Sequence, residues 1–174
     1  MSAARAVPRS SRPRPITPKT GQESVWDYPR PPRVEHRLEQ VTVRLGGRVI
    51  VETTDAVRVL ETSHPPVYYL PIAAFPVGAL VAAEGTSLCE FKGQAHYFDV
   101  VAGGARARRA GWTYPHPRRG FEALSDRVAL YPGAMDSCEV DGERVLAQAG
   151  GFYGGWITSR IVGPFKGGPG TIGW

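Results

Sequence analysis

Three times between residues 41 and 147, a run of alternating residues stops at a glycine-bearing pair and then resumes. Val41, Val43 and Leu45 alternate with Thr42 and Arg44, Gly46-Gly47 follows, and Val49 and Val51 alternate on the return. Tyr97 to Val101 leads through Gly103-Gly104 into Ala105 to Ala110, and Ser137 to Val140 leads through Asp141-Gly142 into Glu143 to Ala147. A period of two places successive side chains on opposite faces of a strand. A two-residue turn that tolerates positive φ then folds such a strand back on itself. Ala56 to Glu61 reads as a further strand, partly buried on both faces.

Helix has little room here. Twenty-one glycines and sixteen prolines stand among 174 residues, well above the average share of roughly 12%. Pro71 to Phe75 and Pro117 to Leu124 could each form one or two turns, because proline suits a first helical position. The expected fold class is therefore mainly β: a small antiparallel β domain with few short helical turns.

The charge is unevenly placed. The formal net charge is +5, and residues 1–20 carry Arg5, Arg9, Arg12, Arg14 and Lys19 with no acid. The remainder is neutral, so a nucleic-acid partner is expected only through the basic N-terminal tail. Residues 1–24 also hold four prolines and few large apolar groups. They read as a disordered tail that cannot bury enough surface to offset its chain entropy. Residues 25–147 form the expected β domain. Residues 148–174 contain nine glycines, five aromatic residues and no acid. That mixture reads as an extension docked on the domain by its rings.

No run approaches the ~18 apolar residues of a membrane span, and the first twenty residues lack the apolar segment of a signal peptide. A cytoplasmic protein with no membrane partner is expected. An unpaired strand edge would leave a homodimer open. Cys89 and Cys138 cannot make a disulfide scaffold or a four-thiolate zinc site between them. No Cys-x-x-Cys, His-x-x-x-His or phosphate-loop pattern occurs, so neither metal nor cofactor is expected. The Arg106, Arg108 and Arg109 cluster, the one basic run inside the domain, reads as a solvated or acid-paired face.

Two segments share a layout of aromatics bounded by prolines: Arg58 to Pro71, containing Glu61, His64, Tyr68 and Tyr69, and Gly111 to Pro117, containing Trp112 and Tyr114. Aromatic walls with a few aimed polar groups are what a small-ligand pocket requires. If the segments converge, Arg58, Glu61, His64, Tyr68, Tyr69, Lys92, Trp112 and Tyr114 would line the hollow, with Asp126 and Tyr131 adding polar contacts. Cys89 is the candidate nucleophile. It would need His64, His96 or Lys92 nearby to lower its pKa, and its spacing places none of them there.

Five motifs together resemble a bacterial family known as domain of unknown function 427. They are Ala56-Val-Arg58-Val-Leu60-Glu61, Pro65-Pro66-x-Tyr68-Tyr69-x-Pro71, Cys89-x-x-Lys92-Gly93, Trp112-x-Tyr114-Pro115-x-Pro117 and Val128-Ala129-x-Tyr131. The resemblance runs through about residues 34–147. It implies a tent-like domain of two antiparallel sheets. Members often carry His-Cys-Pro-Tyr before Lys-Gly, where this chain has Leu88-Cys89-Glu90-Phe91. They often carry Glu-Asn-Ala where it has Arg108-Arg109-Ala110. The expected function is a binding module with an aromatic pocket for a small polar or anionic molecule. An enzyme built on Cys89, a nucleotidyl transfer suggested only by family naming, and a protein-interaction scaffold are the alternatives.

Overall fold

In the computed structural model, which describes residues 12–174, each of the three glycine-bearing pairs closes a hairpin. Both central residues have positive φ in every case: +60° and +73° at Gly46-Gly47, +55° and +79° at Gly103-Gly104, +48° and +78° at Asp141-Gly142. Such turns match the right-handed twist of the strands that they join. The first two also meet each other. A Cβ on Gly46 would lie 2.1 Å from the Ala102 carbonyl oxygen, and one on Gly103 would lie 2.1 Å from that of Gly46. Backbone touches backbone there, and glycine is what permits it.

The strands in chain order are β1 (Glu23–Ser24), β2 (Arg33–Arg37), β3 (Val41–Leu45), β4 (Arg48–Thr53), β5 (Ala56–Leu60), β6 (Val67–Pro71), β7 (Leu80–Cys89) and β8 (Gly93–Ala102). There follow β9 (Ala105–Thr113), β10 (Arg127–Leu130), β11 (Ser137–Val140), β12 (Glu143–Arg144), β13 (Leu146–Ala147), β14 (Trp156–Ile157) and β15 (Ile161–Val162). A seven-stranded antiparallel sheet has the order β2-β5-β6-β10-β9-β8-β7, and a four-stranded one the order β12-β11-β3-β4. The fold is mainly β. Helical structure among the described residues is limited to short 3-10 turns, such as Ile72–Ala74 and Glu122–Leu124. The turn expected from Pro117 shrinks to its last three residues because Gly120, at φ +92°, interrupts it. No helix among the described residues is long and apolar enough to cross a membrane.

The large sheet is apolar on both faces, and this sets up everything that follows. Ala56, Tyr68, Leu70, Val100, Ala110, Val128 and Leu130 pack with Val41, Val43, Val51 and Cys138 of the small sheet in the main core. Val57, Val59, Tyr69, Trp112 and Ala129 of the same sheet point the other way, into a second cluster with Tyr114 and Leu124. Alternation along β5, β6 and β10 thus builds two cores on one sheet. Burial pushes the Cys138 thiol up to about 12, which keeps it a small hydrophobe.

Both chain extensions add to this frame. The disordered tail expected over residues 1–24 lies partly outside the described residues, at 1–11. From residue 12 onward that expectation is corrected. Ile16 N–H donates to the Gly163 carbonyl at 2.8 Å, and Glu23–Ser24 pair in parallel with Ile161–Val162. Hydrogen bonding to the C-terminal segment compensates here for scarce apolar side chains. That segment in turn buries Trp156 at 1% exposure in the main core.

Candidate functional site

The second cluster does not fill its own space. On that face of the large sheet lies a cavity of about 300 Å³. Its floor comes from Tyr69 on β6, Trp112 on β9 and Tyr114 just beyond it, with Tyr97 of β8 and Tyr131 at the end of β10 completing the wall. The rings are arranged at tilted and edge-on angles: Tyr69 and Trp112 lie 6.4 Å apart at 84°, Trp112 and Tyr131 4.6 Å apart at 49°. Trp112 Nε1–H donates to the Tyr69 hydroxyl at 3.3 Å. Burial raises the pKa of Tyr69, of Tyr114 and of Tyr131, in the last two reinforced by Cys89 and Tyr97 respectively. These phenols stay protonated and offer hydrogen bonds, not charge.

A glycine-rich strap from the C-terminal extension crosses this face. The Tyr131 hydroxyl donates to the Phe152 carbonyl at 3.1 Å, and a Cβ on Gly154 would lie 2.2 Å from the Trp112 ring. Only a residue without a side chain brings the strap this close to the indole. Phe152, Tyr153 and Gly154 join the lining, and Leu88 and Phe152 stay exposed.

Polar groups enter from three places. Lys92, in the β7–β8 turn, sets its ammonium 5.8 Å from the centre of the Tyr114 ring. Glu61 follows β5 and lies 3.5 Å from Arg30 Nε. His64 is buried between them and the strap, in edge contact with Tyr153 at 4.7 Å. Gln148 fixes its tautomer. The Gln148 carbonyl oxygen accepts from Gly155 N–H at 3.1 Å, and its amide nitrogen donates to the Lys166 carbonyl at 2.7 Å. The amide proton left over points at His64 Nδ1, 3.2 Å away. Nδ1 must therefore accept, and the imidazole proton sits on Nε2, which faces Glu61 Oε2 at 3.8 Å. Burial, aided by Lys166, Arg30 and Lys92, pushes the His64 pKa down to about 4. The ring is neutral at pH 7.

The structure brings together Glu61, His64, Tyr69, Lys92, Trp112, Tyr114 and Cys89. Three expectations are corrected. Arg58 and Tyr68 alternate away from Val59 and Tyr69, so they face the opposite side of the sheet. There Arg58 is 4% exposed and binds Glu23 at 2.7 Å and Glu35 at 2.8 Å. Tyr68 donates to Glu39 at 3.0 Å. Asp126 lies in an exposed turn at φ +59° and is absent from the lining. As for the thiol, Cys89 neighbours Tyr114, whereas His64 is taken up by Gln148 and Glu61, and His96 is exposed on the opposite side of β8 from Ala95 and Tyr97. His64 and Lys92 line the same cavity as Cys89, yet among the described residues no hydrogen bond joins the thiol to His64, His96 or Lys92.

Sequence reasoning missed Gln148, Tyr97 and the strap residues Phe152 to Gly154 as lining. The aromatic pair set among glycines was the available signal for the strap. Nothing in the local pattern marks Gln148, whose role depends on contacts with residues 64, 155 and 166.

A family model described as a domain of unknown function (DUF427) matches residues 33–141. The match spans every sheet residue of the cavity and ends before the strap. No curated protein matches the chain.

Proposed function

The chain belongs to the family described as a domain of unknown function (DUF427), and for this member we propose a binding module whose aromatic cavity takes a small planar molecule with an anionic or strongly accepting group. One observation carries the reading: an aromatic-walled hollow contains a lysine that lacks a carboxylate partner among the described residues. Glu61, the acid in the lining, already has Arg30 at 3.5 Å. The uncompensated charge is therefore the Lys92 ammonium. Stacking surfaces favour a flat ring, and a cation in a partly desolvated wall favours an acceptor at the ring's edge.

Isothermal titration with benzoate and its neutral isostere benzamide tests this. The wild-type protein is expected to prefer benzoate by about tenfold, the worth of one charge-assisted hydrogen bond. Lys92→Met should remove the preference and leave benzamide affinity unchanged. Equal affinities in the wild type, or a preference that survives in Lys92→Met, would overturn the assignment.

A further inference from the structure

A second hollow of about 540 Å³ adjoins the aromatic cavity. The two share Tyr97, Tyr131, Gln148, Phe152 and Tyr153, so they meet along the strap and the Tyr131 ring. Arg108 and Arg109 line the far compartment only.

In a regular strand these neighbours would point to opposite faces. Here the β8–β9 ladder slips: Phe98 pairs with Gly111 and Val100 with Ala107, so that Arg108, Arg109 and Ala110 stand opposite Asp99 alone. Arg109 takes up the excess at φ +47°, a conformation that non-glycine residues rarely adopt. Asp99 braces it, accepting the Arg109 backbone N–H at 2.8 Å from a site only 6% exposed. Bulges of this kind re-aim side chains, and this one sets two successive arginines along one hollow.

Both retain free donors. Arg106 takes the Asp99 carboxylate at 2.8 Å. The Arg109 guanidinium lies 4.2 Å over the Tyr97 ring and gives one N–H to the Glu84 carbonyl. Arg108 is exposed, and among the described residues neither arginine has an acidic side chain as an ion-pair partner. Guanidinium groups without carboxylate partners match the oxygens of a phosphate.

We propose that Arg108 and Arg109 bind the phosphate of a nucleoside monophosphate whose base occupies the aromatic cavity. The inference rests on the aromatic cavity being a ligand site. Because the arginines line only the second hollow, a ligand whose ring lies in the first needs a spacer between ring and phosphate, as a ribose supplies. An aryl phosphate has none.

Titration with uridine monophosphate, uridine and phenyl phosphate tests the assignment. The monophosphate is expected to bind about a hundredfold tighter than uridine, each arginine contributing about tenfold. Phenyl phosphate should bind far more weakly than the monophosphate. Arg108→Ala should cost the monophosphate about tenfold and leave uridine unchanged. Arg109→Gly should cost the monophosphate more than it costs uridine, since glycine keeps the positive-φ bulge while removing the guanidinium and its stacking on Tyr97. Equal binding of uridine and its monophosphate, equal losses for both in the variants, or phenyl phosphate matching the monophosphate would each overturn the inference. Benzoate binding that persists in those outcomes would leave the aromatic site standing; its absence as well would remove both.

Discussion

Replacing Trp156 with alanine is expected to lower the melting temperature by roughly 10 °C, from the 3–5 kcal/mol typical of a buried Trp→Ala change and about 2–4 °C per kcal/mol at this chain length. Trp156 lies in the C-terminal extension, beyond the family match, yet its side chain is 1% exposed. It stacks on Tyr68 with ring centres 4.9 Å apart and planes 26° from parallel. Its Nε1–H donates to the Leu130 carbonyl at 3.1 Å, so truncation also removes a partner from a buried backbone oxygen. Thermal unfolding followed by circular dichroism reads the effect. A fall of only a degree or two would mean that the extension merely rests on the domain.

Trp112→Ala should act in the opposite proportion. Trp112 contributes the largest ring of the cavity floor, holds the Tyr69 hydroxyl and supports Gly154 of the strap. Benzoate affinity is expected to fall by roughly a hundredfold, the scale seen when a central aromatic anchor is truncated. The stability cost should be smaller than that of Trp156→Ala. The volume removed adds to a hollow that already exists, whereas truncating Trp156 opens one inside a closed core. Paired calorimetric and thermal-unfolding measurements on the two variants separate the roles. Wild-type benzoate affinity in Trp112→Ala would place the ligand elsewhere.

The local rules of strand and turn were plainly written in the sequence. Gly46-Gly47, Gly103-Gly104 and Asp141-Gly142 announce their hairpins because the required φ values exclude most other residues. Half of the cavity was legible for a similar reason: Tyr69, Trp112 and Tyr114 stand in proline-bounded aromatic segments. Arg58 and Tyr68 were misplaced because both faces of β5 and β6 are buried, so hydrophobicity gives no clue to which face holds the hollow. Arg58 stays buried because Glu23 and Glu35 come to it from distant positions in the chain. The bulge at Arg109 was equally hidden. Its cause is a register slip against Asp99, and alternation within β9 alone does not reveal it. Pairing between β1 and β15 likewise links segments more than a hundred residues apart, which no local pattern encodes.

The most direct test uses the indole N–H resonances of Trp112 and Trp156, which sit on opposite faces of the same sheet. In a heteronuclear correlation titration with benzoate, the Trp112 resonance should move progressively and saturate, while that of Trp156 stays fixed. Movement of Trp156 with Trp112 unchanged, or no movement of Trp112 at saturating benzoate, would contradict the account.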